Sequence, residues 1–221
     1  MTTLIWWLLP LLLIWLVGLL AAGTNWGGPH VNWLDGWTRI LCRSLHGLGQ
    51  QRINLPEHGA AIVVANHMSG VDPLLLIAAS NRPLRFLIAR EEYQRFGMQW
   101  LFRAAGCIPV DRDGRPEKSL RQALKALQQG EVIAIFPHGR IHLDSDPPRK
   151  LKAGFARLAA WSGAPVYPVR IDGVTAKGKI LSAPFIPGKV SLTLATPIQA
   201  NADTFDRTIN LVSDCIEKNA D

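Results

Sequence analysis

No aspartate, glutamate, lysine or arginine occurs before Asp35, so all 24 basic and 17 acidic residues of this 221-residue chain fall in its last 187 positions. Within the uncharged stretch, Leu4 to Ala22 is an apolar run whose 19 residues, as a helix, span about 28 Å, close to the hydrocarbon thickness of a bilayer. The run predicts a single membrane anchor, with residues 1–26 as the anchoring segment. A cleaved secretory signal is the competing reading, but Met-Thr-Thr supplies no positive n-region beyond the amino terminus. Pro10 lies in the first turns, where it kinks or shortens a helix, so a shallow re-entrant insertion stands beside the full span. Six of the eight tryptophans (Trp6, Trp7, Trp15, Trp26, Trp33 and Trp37) fall in the first 37 residues, and indole rings favour the headgroup boundary. The first positive charges after the run are Arg39 and Arg43, which places the body on the cytoplasmic side of a cell's inner membrane.

Residues 27–50 carry apolar positions at Trp33, Leu34, Trp37, Ile40, Leu41, Leu45 and Leu48, the spacing of an amphipathic helix. Such a helix lies along an anionic membrane surface with Arg39 and Arg43 on its flank, or packs on the core of the body. Without the uncharged leader, charged residues make up about 22% of the rest, close to an ordinary soluble domain. That length is one domain, residues 51–221, and not two of ordinary size. Three scattered cysteines (Cys42, Cys107, Cys215) suit neither a disulfide framework nor a zinc site and agree with a reducing compartment. The net charge of +7 raises nucleic acid as a partner, yet no recognition fingerprint accompanies it, and phosphate-bearing lipids or an acidic carrier account for it as well.

After Gln50, β-branched runs alternate with helical stretches, which predicts an α/β domain with a mixed sheet covered by helices. Strands are expected at Ala61–Ala65, Leu84–Ala89, Cys107–Val110, Val132–Phe136, Val166–Ile171 and Val190–Ala195. Helices are expected at Ser69–Ala79, Met98–Ala105, Pro116–Gln129, Leu151–Trp161 and Thr204–Lys218. Pro116 in a first turn and Gly130 just past an end support the third of these helices.

Chemistry-bearing residues gather where strands end, which is where ligands approach an open α/β sheet. In Asn66-His67-Met68-Ser69-Gly70-Val71-Asp72, a histidine and an aspartate five apart can meet across the turn, the carboxylate fixing the imidazole tautomer of a general base. The same residues also read as a capping box, with Ser69 as N-cap and Asp72 reaching back. Gly106 to Arg112 ends a strand with an arginine, a fork suited to phosphate, although a strand-end Asp-Arg is also an ordinary solvated pair. Phe136-Pro137-His138-Gly139-Arg140 places a further cation past a strand, and Ala164 to Val169 is an apolar wall. His138, His142 and Asp144 have metal-ligating chemistry, but paired histidines at that spacing need a helix, and Pro137 and Gly139 make a loop, so no metal is expected.

In this order the segments resemble the glycerophospholipid acyltransferase family. Its first motif, NHxSxxD, matches Asn66 to Asp72, its second matches Gly106 to Arg112, and its fourth matches Ala164 to Val169. The resemblance covers roughly Leu55 to Thr196. It implies a membrane-bound enzyme that moves an acyl chain from acyl-CoA or acyl carrier protein to a lysophospholipid hydroxyl, with 1-acylglycerol-3-phosphate going to phosphatidic acid. No cofactor is needed beyond the thioester co-substrate. It also implies His67 as base, Asp72 as its partner, backbone donors near Ser69 and Gly70 for the oxyanion, and Arg112, Arg90 and Arg140 for phosphate. The third motif departs from the family's FPEG followed by Thr-Arg or Ser-Arg. His138 replaces the glutamate, Gly139 is retained, and the arginine comes one position early. Acylation or transacylation of another lipid, such as a lyso-ornithine lipid, and a non-catalytic membrane-anchored lipid-binding protein are therefore the competing readings.

Overall fold

The computed structural model describes residues 2–111 and 116–217, with side chains from Leu8 onward except at residue 202. Two helices lead the chain, α1 (Thr2–Ala21) and α2 (Pro29–Ser44), and α1 continues through Pro10. Pro29 opens α2 where its missing N–H is not needed. The body then follows as β1 (Ala61–Ala65), α3 (Asp72–Ala79), β2 (Leu84–Ala89), α4 (Arg90–Tyr93), α5 (Gln99–Ala104), β3 (Ile108–Val110), α6 (Glu117–Gln128), β4 (Val132–Ile135), α7 (Gly154–Ser162), β5 (Val166–Asp172), β6 (Ser191–Leu194) and α8 (Phe205–Ile216).

The six strands form one sheet in the order β3-β2-β4-β1-β5-β6, parallel except for β6, which runs antiparallel to β5. The expected mixed sheet is thus present, and the expected elements appear with boundaries unmoved or moved by at most three residues. β1 is buried along its whole length, as befits a central parallel strand covered on both faces. Its alternate residues feed two cores. Ala61, Val63 and Ala65 pack with α3 residues such as Leu75 and Leu76, and Ile62 and Val64 pack with α6 and α7 residues such as Leu127, Phe155 and Leu158. The result is a three-layer α/β/α body.

α1 and α2 form a hairpin held at a glycine crossing. A Cβ on Gly36 would stand 1.8 Å from the carbonyl oxygen of Gly18, so only glycine permits this approach. Trp37 Nε1 donates to the carbonyl of Ile14 at 2.9 Å across the same interface. Of the two readings of α2, packing on the body is the one observed. Val31, Asp35, Gly36, Arg39 and Cys42 are buried, and α2 lies on α3.

Arg39, expected on a polar flank, is instead 6% exposed. Its Nε donates to Asp35 Oδ2 at 2.8 Å, and its Nη groups donate to Thr24 Oγ1 and to the carbonyls of Ala78 and Ser80. Asp35 also accepts from the Gly23 and Thr24 amides and from Trp26 Nε1, so Trp26 is tied to the body as well. A buried, fully hydrogen-bonded ion pair and a surface flank share the same helical spacing, because periodicity reports the face and not what covers it.

Among the described residues no helix is long and apolar enough to cross a membrane. Along α1, nonetheless, Leu8, Leu11, Leu12 and Leu20 are 55%, 62%, 55% and 80% exposed, an apolar surface of a kind that marks an interaction site.

Candidate active site

The carboxyl ends of the parallel strands carry the candidate residues. Pairing of Val64 with Ile135 and of Ala89 with Val110 puts the end of β1 beside that of β4, and the end of β2 beside that of β3. His67 therefore emerges next to Phe136, and Arg90 emerges next to the segment leading to Arg112. Arg112 itself lies outside the described residues.

Asn66 fixes the exit from β1. Its amide Nδ2 donates to the Ile171 carbonyl at 2.9 Å, and its Oδ1 accepts from the Ile171 N–H at 2.7 Å, prolonging the ladder to β5 by one side chain. The His67 ring then stacks on Phe136 with centroids 4.2 Å apart and planes at 18°, and its carbonyl accepts from the His142 N–H at 2.7 Å. Nδ1 of His67 lies 2.9 Å from Asp72 Oδ2, with the histidine side chain 19% exposed and the aspartate fully buried. An ionised carboxylate only accepts, so Nδ1 carries the proton and Nε2 keeps its lone pair. Nε2 has no hydrogen-bond partner among the described residues, which leaves it available to take a proton.

Asp72 is held by four donors. Its Oδ2 accepts from the Met68 and Ser69 amides at 2.5 and 2.8 Å as well as from His67, and its Oδ1 accepts from Ser69 Oγ at 3.1 Å. The capping-box reading is therefore half met. Asp72 reaches back as expected, but α3 begins at Asp72 with Val71 as N-cap, and Ser69 Oγ accepts from the Val71 amide at 3.3 Å.

The expectation for Ser69 and Gly70 as oxyanion donors is corrected. The Ser69 amide is spent on Asp72, and the Gly70 amide donates to the Lys179 carbonyl at 2.8 Å. A Cβ on Gly70 would stand 2.1 Å from the Ile180 carbonyl oxygen, so this glycine lets the 176–180 loop close onto the turn.

The third-motif residues separate. Gly139 is in the left-handed region at φ +72° and closes the turn after β4 by donating to the Phe136 carbonyl at 3.0 Å. Arg140 and Arg90 are both exposed. His138 is 2% exposed and stacks on His142 at 4.4 Å. Its Nε2 lies 3.1 Å from Glu217 Oε1, just beyond α8, while its Nδ1 is buried without a partner. His138 thus contacts the carboxyl-terminal segment. Burial lowers the His138 pKa and the Glu217 contact opposes that shift, with His142 and Arg149 lowering it further.

Sequence reasoning missed two residues. Phe136, read only as a strand end, is the platform under His67. Lys152 donates its amide to the Pro137 carbonyl at 2.9 Å, and its Nζ lies 2.8 Å from where a Gly139 Cβ would stand, so an ammonium covers that turn. Cys107, in the second motif, is buried with its thiol pushed up to about 11, which keeps it protonated and non-nucleophilic at neutral pH. Among the described residues no group of three or more histidine, cysteine, aspartate or glutamate side chains is placed to hold a metal ion.

A family model described as Acyltransferase matches residues 50–172, more than half of the chain. The chain is 27% identical over 146 residues to the 1-acyl-sn-glycerol-3-phosphate acyltransferase of Bacillus subtilis, covering 66% of this chain and 70% of that protein. It is 33% identical over 118 residues to the N-acylphosphatidylethanolamine synthase of Arabidopsis thaliana, covering 49% of this chain and 41% of that protein. Its fold is similar to that of the 1-acyl-sn-glycerophosphate (LPA) acyltransferase, PlsC, from Thermotoga maritima, with a TM-score of 0.61 over 81% of this chain and 76% of that one at 24% identity.

Proposed function

Because the chain belongs to the acyltransferase family, we propose that it is a membrane-associated O-acyltransferase that acylates the free hydroxyl of a lysophospholipid, with 1-acylglycerol-3-phosphate as acceptor and phosphatidic acid as product. The observation that carries this reading is the 2.9 Å contact of His67 with a buried, fully ligated Asp72. His67 Nε2 takes the acceptor's hydroxyl proton while the oxygen attacks the thioester carbonyl of acyl-CoA or acyl carrier protein. The new ester C–O bond forms, the C–S bond breaks, and the proton passes from His67 to the departing thiolate. No enzyme nucleophile is required. Arg90, Arg140 and Arg112 bind the acceptor's phosphate, and Lys152 adds a cation at the third-motif turn. The exposed leucines of α1 seat the enzyme shallowly in the cytoplasmic face of the inner membrane, where an acceptor that does not leave the lipid phase meets the site.

The disposition of His138 favours a second reading on the same chemistry. A histidine engaged with Glu217 does not offer the carboxylate that the family's FPEG motif would, and one relative is named for forming an N-acyl phospholipid. The acceptor is then another lysolipid, such as a lyso-ornithine lipid, or a phospholipid in transacylation.

Purified full-length protein, native lipid extract and a labelled acyl thioester, with products read by mass spectrometry, test both readings. Labelled phosphatidic acid as the main product supports the first, and a different acylated lipid supports the second. Unchanged transfer by a His67→Ala variant overturns the catalytic assignment and leaves a lipid-binding protein.

A further inference from the structure

At the base of the hairpin, beyond the opposite end of α3 from Asp72, the last turn of α1 meets the body around a cavity of about 230 Å³ lined by Gly23, Arg39, Arg43, Arg52, Ser80 and Asn81. That is several times the ~30 Å³ share of one water, room for a phosphate with its first substituent. Three guanidinium groups border one cavity, and they are not equivalent. Arg39 is consumed by Asp35, Thr24 and the Ala78 and Ser80 carbonyls. Arg43, half-buried, and Arg52, exposed, have no ion-pair or side-chain hydrogen-bond partner among the described residues. The one carboxylate of this network, Asp35, is already balanced by Arg39 at 2.8 Å, so the cavity keeps two uncompensated positive charges. Like charges held together at a cavity wall repel unless an anion joins them, and the planar guanidinium fork fits phosphate oxygens two at a time.

The setting identifies the source of the phosphate. Leu20, immediately before the turn that lines the cavity, is 80% exposed, and its helical stripe stays exposed along α1 at Leu16, Leu13 and Leu9. An apolar track that ends at a doubly cationic cavity matches a molecule with a hydrocarbon tail and an anionic head.

With α1 seated in the membrane as read above, we propose that this cavity binds the phosphate of an anionic membrane phospholipid, with Arg43 and Arg52 as its ligands and the lipid's tails along α1. The site is distinct from the acyl-transfer site and fixes the depth and orientation of the hairpin by gripping one headgroup.

The test uses the full chain in a neutral detergent with three probes: dihexanoyl phosphatidylglycerol, dihexanoyl phosphatidylcholine and glycerol 3-phosphate, each titrated calorimetrically. The expected result is saturable one-to-one binding of the phosphatidylglycerol probe, weakened at least 10-fold by R43A with R52A and little changed by R90A with R140A. Equal affinity for glycerol 3-phosphate overturns the lipid as ligand in favour of a soluble phosphate. Equal affinity for phosphatidylcholine overturns selection by charge, and equal weakening by the R90A/R140A pair places the ligand at the acyl-transfer site. Should the R43A/R52A protein not fold, phenylglyoxal modification of the unmutated chain decides. The phosphatidylglycerol probe protects Arg43 and Arg52, and their unprotected modification overturns the site. These short-chain probes need no bilayer, so failure here is separate from failure of the membrane reading, which loss of vesicle binding on replacing Leu8, Leu11 and Leu12 by serine examines.

Discussion

Oδ2 of Asp72 accepts from Nδ1 of His67 at 2.9 Å while also accepting from two backbone amides, those of Met68 and Ser69. The carboxylate is therefore anchored by the main chain first and orients the imidazole from a fixed position. Replacing His67 with alanine removes the base and leaves that anchor intact. Acyl transfer is expected to fall about 10²- to 10⁴-fold with an unchanged melting temperature. Asp72→Asn is expected to lower transfer and the melting temperature together, because an amide NH₂ then faces groups that donate. Labelled-thioester turnover and thermal unfolding on the same preparations check both, and an Asp72→Asn protein as stable as the parent would contradict the anchoring account.

His138 gives a prediction about pH. Burial holds its pKa below the ordinary histidine value of about 6.5. Between the folded and unfolded values the unfolded chain binds more protons, so this contribution to stability is present above about 6.5 and is lost as pH falls through that value toward the folded one. The groups facing the ring are Glu217, His142 and Arg149. His138→Gln removes the titration, so its unfolding midpoint should decline less than the parent's between about pH 7.5 and 5.5. Parallel midpoint-against-pH curves for the two proteins would rule this out.

Much of this arrangement was legible in the sequence, for physical reasons. β1 is buried on both faces, so its AIVVA run is unambiguous, and a histidine five residues before an aspartate across the following turn has little room to do anything but meet it. The partners of Arg39 and His138 were not legible. Asp35 lies four residues before Arg39, but what buries the pair, Ala78 and Ser80, and what meets His138, Glu217, are distant in sequence, and no local pattern encodes a partner dozens of residues away. The spent amide of Gly70 was hidden for the same reason, since its acceptor sits on the 176–180 loop, whereas that of Ser69 follows from the capping-box reading.

The glycine crossing yields a stability prediction. A methyl at position 36 has no space beside the Gly18 carbonyl, so Gly36→Ala must push α1 away from α2. A loss of about 1–3 kcal/mol, the usual cost of overpacking, is expected in detergent, with Trp37 becoming more accessible to a fluorescence quencher. Unaltered stability and quenching would mean that the two helices are not held at this crossing.

Thiol chemistry supplies a negative control. With the Cys107 thiol raised to about 11 by burial, and with no nucleophile needed, maleimide treatment at pH 7 is expected to leave acyl transfer within about twofold of the untreated enzyme. Complete inactivation, mapped to Cys107 by peptide mass spectrometry, would reopen a covalent route.

α2 lies between α1 and α3, and the first residue of α3 is Asp72 itself. The hairpin that meets the lipid and the carboxylate that steadies the base thus share an unbroken path of packed helices. On the proposed seating, the depth at which α1 rests sets the height of His67 relative to the headgroups, much as a keel sets a waterline. The packing of the headgroup layer then becomes a kinetic variable for this enzyme, acting on turnover through position rather than through chemistry.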